Sequence, residues 1–129
     1  MKQLLITIFA VVMVGCGPSE VELSLIEAAR KGNIEAVKKH IANSKQDFFN
    51  NIDVNAADVL DKTALHYAAA EDHKEIAELL IGKGADLNAM DQDDETPLDW
   101  ANHSKLTEIA ELLRKHGAKT GEELKAADN

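Results

Sequence analysis

Five histidines, one acidic run and a single cysteine are the residues here whose types invite chemistry. His40, His66, His73, His103 and His116 fall at no spacing that metal sites use. Asp91-Gln92-Asp93-Asp94-Glu95 gathers enough carboxylate to suggest calcium. A calcium loop opening at Asp91 needs glycine at its sixth place and a bidentate glutamate at its twelfth. Those places hold Thr96 and Asn102, so the run reads as a solvated turn. Ser24, Ser44 and Ser104 have no partner in the sequence that would activate a hydroxyl. No glycine-rich phosphate loop or pair of catalytic carboxylates occurs. The sequence therefore offers no catalytic residue, no metal site and no cofactor. Cys16 is the sole cysteine, which excludes an internal disulfide and paired-cysteine zinc sites.

What positions these residues is a repeat. Residues 63–89 read TALHYAAAEDHKEIAELLIGKGADLNA, and 96–119 read TPLDWANHSKLTEIAELLRKHGAK. Thr63 pairs with Thr96, Leu65 with Leu98, Ala68 with Ala101, Ile76 with Ile109, Leu80 with Leu113 and Gly84 with Gly117, each at an offset of 33. Self-similarity at a fixed period of this size marks a stacked repeat. A looser copy lies 40 residues before the first, through Ala28/Ala68, Ala29/Ala69 and Glu35/Glu75.

Each copy reads as two short helices. Ser19-x-x-Glu22 has the form of a capping box, so a helix follows over residues 21–31, with Leu25, Ala28 and Ala29 inward. Gly32 ends it, and Ile34, Val37 and Ile41 line a second helix over 34–42. The later copies give helices over 64–71 and 74–83, then 97–103 and 106–116, with a last polar helix over 121–127. Ile76, Leu79 and Leu80, and Ile109, Leu112 and Leu113, are expected in the core. Thr63 and Thr96 cap the first helices, and Pro97 sits where its missing N–H costs nothing. Gly84 and Gly117 suit left-handed helix ends. Residues 58–62 and 91–95 should be tight, finger-like turns. Residues 43–53 read as a long loop whose Phe48 and Phe49 either cover the end of a small core or serve as an anchor for a partner. Tyr67 and Trp100 share one place on successive first helices and are expected to be buried.

These residues resemble the ankyrin repeat, whose pattern is T-P-L-H-x-A followed by two helices and G-A-D-x-N. The chain shows Thr63-Ala64-Leu65-His66-Tyr67-Ala68 with Gly84-Ala85-Asp86-Leu87-Asn88, then Thr96-Pro97-Leu98-Asp99-Trp100-Ala101 with Gly117-Ala118. The turn glycine of the family is replaced by Asp61 and Asp94. The histidine that braces the turn, His66, becomes Asp99 in the last unit. The resemblance implies an all-α solenoid of three repeats, over about 22–53, 58–90 and 91–119, with a cap at 120–129. It also implies a non-catalytic module that binds a protein through its fingers and first-helix faces. The family's variable surface positions fall on Val59, Leu60, Lys62, Ala70 and Glu71 in the middle unit, and on Gln92, Asp93, Glu95, His103 and Ser104 in the last.

The N-terminus carries a different signal. Met1-Lys2-Gln3 is short and positive, residues 4–14 are apolar but for Thr7, and Gly15-Cys16-Gly17-Pro18 breaks the run. This is the form of a secretory signal, well short of the roughly 20 residues a spanning helix needs. Met13-Val14-Gly15-Cys16 resembles the lipobox of bacterial lipoproteins. The resemblance implies removal of residues 1–15 and acylation of Cys16, with palmitate-type chains, on its sulfur and amine. Residues 16–21 then form a tether to a domain over 22–129. Gly17 follows the cysteine, where an aspartate would signal inner-membrane retention, so the expected site is the outer membrane, facing the periplasm.

The chain has a formal net charge of −9, with 23 acidic residues against 14 basic ones. Nucleic acid, which needs a Lys/Arg-rich face, is excluded as a partner. A protein with a basic patch fits, and the chain reads as a monomer. Two other roles fit the same architecture: inhibitor or immunity protein of a periplasmic enzyme or toxin, and accessory stabiliser of a periplasmic antioxidant enzyme.

Overall fold

The computed structural model describes residues 20–43 and 53–128. The N-terminal run with Cys16, the capping-box Ser19, and the stretch bearing Phe48 and Phe49 lie outside the described residues. Seven helices follow one another among those described: α1 Glu20–Lys31, α2 Ile34–Asn43, α3 Ala64–Ala70, α4 Lys74–Gly82, α5 Pro97–His103, α6 Thr107–Lys115 and α7 Gly121–Ala127. No strand occurs among the described residues, only an isolated antiparallel bridge between Ala57 and Thr63. The fold class read from the periodicity is the one observed, with helix ends within a residue or so of the expected ones.

The helices pair as α1/α2, α3/α4 and α5/α6. The first helices α1, α3 and α5 pack on one another in series, and each second helix packs on the first helix of its own unit. Alanines permit that close approach: Ala29, Ala64, Ala68, Ala69 and Ala101 are wholly buried along the seam. Leu25, Val37, Leu65, Ile76, Leu80, Leu98, Ile109 and Leu113 fill the space between the two rows. Leu79 and Leu112 depart from expectation. They are half-buried at the margin, because the helical advance of 100° per residue turns them off the line that Ile76/Leu80 and Ile109/Leu113 hold at i, i+4. Among the described residues the core is built from residues 25–118.

The turns follow the substitutions seen in the sequence. Asp61 and Asp94 adopt φ of 60° and 62°, and Asp72 and Lys105, between the helices of a pair, adopt 59° and 58°. Short polar side chains tolerate this left-handed region best. Gly84 and Gly117, at φ of 87° and 97°, end the second helices as the cap reading requires.

Candidate protein-binding surface

The two fingers are built on one plan. Asp58 opens the first. Its Oδ1 accepts from the backbone N–H of Leu60 at 2.9 Å and of Lys62 at 3.0 Å, while its own N–H donates to the Lys62 carbonyl. Its Oδ2 accepts from the Tyr67 hydroxyl at 2.5 Å. Thirty-three residues on, Asp91 Oδ1 accepts from the N–H of Asp93 and Glu95, and Oδ2 from Trp100 Nε1–H at 2.9 Å. One carboxylate thus closes the turn with one oxygen and ties it to the following helix with the other. Burial alone would raise both carboxyls, yet the hydrogen bonds they accept outweigh it and hold both below the usual carboxylate range. Burial, then the hydrogen bond the phenol donates to Asp58, pushes the Tyr67 phenol up to about 12.

Tyr67 and Trp100 are half-buried, each contributing part of its ring to the interior. Each keeps a polar edge for the finger and an open ring face for a cation. Arg30 lies 5.9 Å from the Tyr67 ring centre and Lys62 lies 4.2 Å from that of Trp100, both within cation–π reach. The signal in the sequence was an aspartate nine residues before an aromatic, present in both units. Periodicity alone gave no reason to connect them.

The fingers are also tied to each other. Gln92 Nε2 donates to the Val59 carbonyl at 2.7 Å and the Gln92 N–H to the Leu60 carbonyl at 3.2 Å. What remains outward at the first tip is the side chain of Val59, 83% exposed, and of Leu60, 46% exposed. Of the other surface positions taken from the repeat pattern, Asp93, Glu71, His103 and Ser104 are exposed, while Lys62, Ala70 and Glu95 are half-buried. Glu95 approaches His103 Nδ1 at 3.4 Å. The structure thus links Val59, Leu60 and Gln92, sets Lys62 on Trp100, and joins Glu95 to His103. Glu71 and Ser104 sit at the C-terminal ends of α3 and α5, outside those links.

Below the fingers, each unit is locked to the next. His66 Nδ1 lies 3.0 Å from the Thr63 backbone nitrogen. That nitrogen can only donate, so Nδ1 is the acceptor and the ring proton is on Nε2. Nε2 donates to the Glu95 carbonyl at 3.1 Å. Burial holds His66 below its usual pKa, partly offset by the bond to Glu95. Further out, Asn55 Oδ1 accepts from the Asp86 N–H at 2.6 Å, and Asn88 Oδ1 from the Lys119 N–H at 2.8 Å.

The sequence profile described as ankyrin repeats (3 copies) matches residues 25–123. This chain belongs to the ankyrin-repeat family. No curated protein matches it. Ankyrin repeats are protein–protein interaction modules, generally without catalysis of their own. Among the described residues no group of three or more His, Cys, Asp or Glu could hold a metal ion.

Within the ankyrin frame, the exchange of histidine for Asp99 acquires a reason. His66 must reach a carbonyl, the Glu95 oxygen of the next finger, and does so with an N–H. Asp99 faces the start of α7, where the available group is an N–H. Its Oδ2 accepts from Gly121 at 2.8 Å and from the Thr96 N–H at 2.9 Å. The Thr96 hydroxyl donates to the Lys119 carbonyl at 2.7 Å. A β-carbon on Gly121 would fall 2.0 Å from the Asp94 carbonyl oxygen, so α7 is seated directly on the second finger. Lys125 Nζ then pairs with Asp94 at 2.7 Å.

Proposed function

We propose that this ankyrin-repeat protein is a lipid-anchored module of the bacterial envelope that holds a protein partner on its finger surface. The observation that carries the reading is the first finger. Asp58 and Gln92 bind its backbone at Val59, Leu60 and Lys62, and Tyr67 holds the Asp58 carboxylate, so Val59 and Leu60 are presented on a rigid support. Rigid presentation lowers the ordering cost of association. Leu60, Asp93, Glu95 and the helix-end residues Glu71, His103 and Ser104 make the surrounding surface, with Lys62, Ala70 and Gln92 between them. Its carboxylates favour a partner with a basic patch.

The anchor rests on the sequence of residues 1–18. Acylation at Cys16 places the repeats on the periplasmic side, with the outer membrane favoured by Gly17. Stable anchoring takes more than one acyl chain. Cys16→Ser is expected to release the protein from the membrane fraction and to remove the acyl mass from its N-terminus. A variant that stays membrane-bound defeats the anchor reading.

For the partner, the experiment is affinity capture from membranes, run beside an Asp93→Lys/Glu95→Lys variant. A protein retained by the wild type and lost with the variant supports the finger surface. Charge reversal should act mainly through the association rate and its salt dependence. Equal retention by both at low salt moves the site elsewhere.

A further inference from the structure

The last ankyrin unit leaves a groove of about 660 Å³ between the end of α5 and the outer side of α6. Ala101, Leu106 and Ala110 line it with Lys105, Arg114 and Lys115, and Glu111 is the one acid in the lining; Arg114 is paired with Glu123 of α7 at 3.3 Å, which leaves Lys105 and Lys115 as the cations open to a ligand. The preceding unit shows what the fold itself requires at these places. Thirty-three residues earlier stand Asp72 for Lys105, Ile81 for Arg114 and Gly82 for Lys115. The terminal unit has become cationic at all three. A stack needs a polar outer face at its end, but acidic residues would serve equally in a chain of net charge −9. The sign of the rim runs against the composition.

The first finger departs from its repeat in the complementary sense. Val59 and Leu60 are exposed where the second finger has Gln92 and Asp93. The two fingers share one backbone plan, so the fold does not require apolar residues there. Around the tip stand Asp58, Asp61, Asp91, Asp93, Asp94 and Glu95 against Lys62. The middle unit thus offers an apolar knob in an acidic setting, and the last unit an apolar groove in a basic one.

We propose that the groove receives the first finger of a second copy of this chain. Val59 and Leu60 seat on Ala101, Leu106 and Ala110, and Asp61 and Asp93 face Lys105 and Lys115. The contact joins unlike surfaces, so each added copy leaves a free finger and a free groove, and association continues past the dimer until a ring closes or a filament forms. The sequence alone reads as a monomer; the paired surfaces assign head-to-tail association at high local concentration. The contact is small, at the low end of interface sizes, below about 1,200 Å². It is correspondingly weak and concentration-dependent. A partner on the fingers would compete with it, but the inference does not depend on that partner.

The test uses the chain in sedimentation equilibrium up to about 1 mM, where association of roughly 4 kcal/mol becomes visible. The weight-average mass is expected to rise roughly twofold or more over that range. Val59→Asp/Leu60→Asp removes the knob. Lys105→Asp/Lys115→Glu removes the rim, and Lys105→Asp restores the residue type that Asp72 already places at the same left-handed turn. Each variant should remain monomeric with an unchanged thermal midpoint. Mixed together they should form one-to-one dimers that grow no further, since one supplies the groove and the other the knob. A wild type that stays monomeric to about 1 mM overturns the proposal. So does association that persists in either variant alone, or a mixture that does not associate. None of these results alters the partner-capture experiment, so the two readings fail separately.

Discussion

Replacing Gly121 with alanine tests how the stack is closed. In an ordinary helix start the exchange would help, through alanine's helix propensity and a less flexible unfolded chain, by about 0.4–1 kcal/mol. Here the added carbon lies 2.0 Å from the Asp94 carbonyl oxygen, whereas real contacts essentially never fall under 3.0 Å. The start of α7 must therefore withdraw by about 1 Å. That shift breaks the 2.8 Å bond from the Gly121 N–H to Asp99, a charge-assisted bond worth about 1.5–3 kcal/mol. The exposed Lys125–Asp94 pair goes with it, adding under about 1 kcal/mol. Set against alanine's gain, the net loss is about 1–2 kcal/mol. For a domain of this size each kcal/mol lowers the thermal midpoint by about 4–8 °C. Circular-dichroism melts read the total, and amide hydrogen exchange reads its location, with protection lost in α7 while α3 and α4 keep theirs. A midpoint equal to or above wild type would refute the seating of α7 on the second finger.

Two further outcomes follow from the same geometry. Leu80, wholly buried between the helix rows, should lose about 3–4 kcal/mol as Leu80→Ala, and half-buried Leu79 under about 2 kcal/mol as Leu79→Ala, measured by urea unfolding; equal midpoints for the two would contradict the assigned core. Acid should weaken the fold in two steps. His66 is held neutral, so its contribution is complete above its unfolded pKa of about 6.5 and is lost as pH falls below it. Asp58 and Asp91 are held ionised, so theirs is complete above about pH 4 and declines below it. Melts from pH 8 to 3 should show the first decline vanish in His66→Asn while the second remains.

The period of 33 was enough to place α3 to α6, and the glycines and threonines marked their ends. That information is local, and an amphipathic pattern repeated in register leaves little freedom for the helices. Side-chain ties between units were harder to see. Asp58 with Tyr67 and Asp91 with Trp100 are nine residues apart, a spacing that belongs to no single helix or turn. Asp99 looked like the loss of a brace because its partner, Gly121, lies in the cap and outside the repeat. Leu79 and Leu112 looked equivalent to their neighbours because an apolar doublet does not say which member faces inward. The finger positions came from the family pattern, and the structure adds that Gln92, Lys62 and Glu95 already hold intramolecular partners there.

Four side-chain ties between units run forward along the chain. His66 waits for Glu95, Asn55 for Asp86, Asn88 for Lys119 and Asp99 for Gly121, at separations of 22 to 31 residues. During synthesis these four side chains emerge before their partners, and their bonds close only when the next unit arrives. Biogenesis is thereby vectorial, with each stretch of nascent chain acting as the latch for the one before it. The final latch is α7, so a chain halted before Gly121 would leave Asp99 without that bond and the whole series open at its last link.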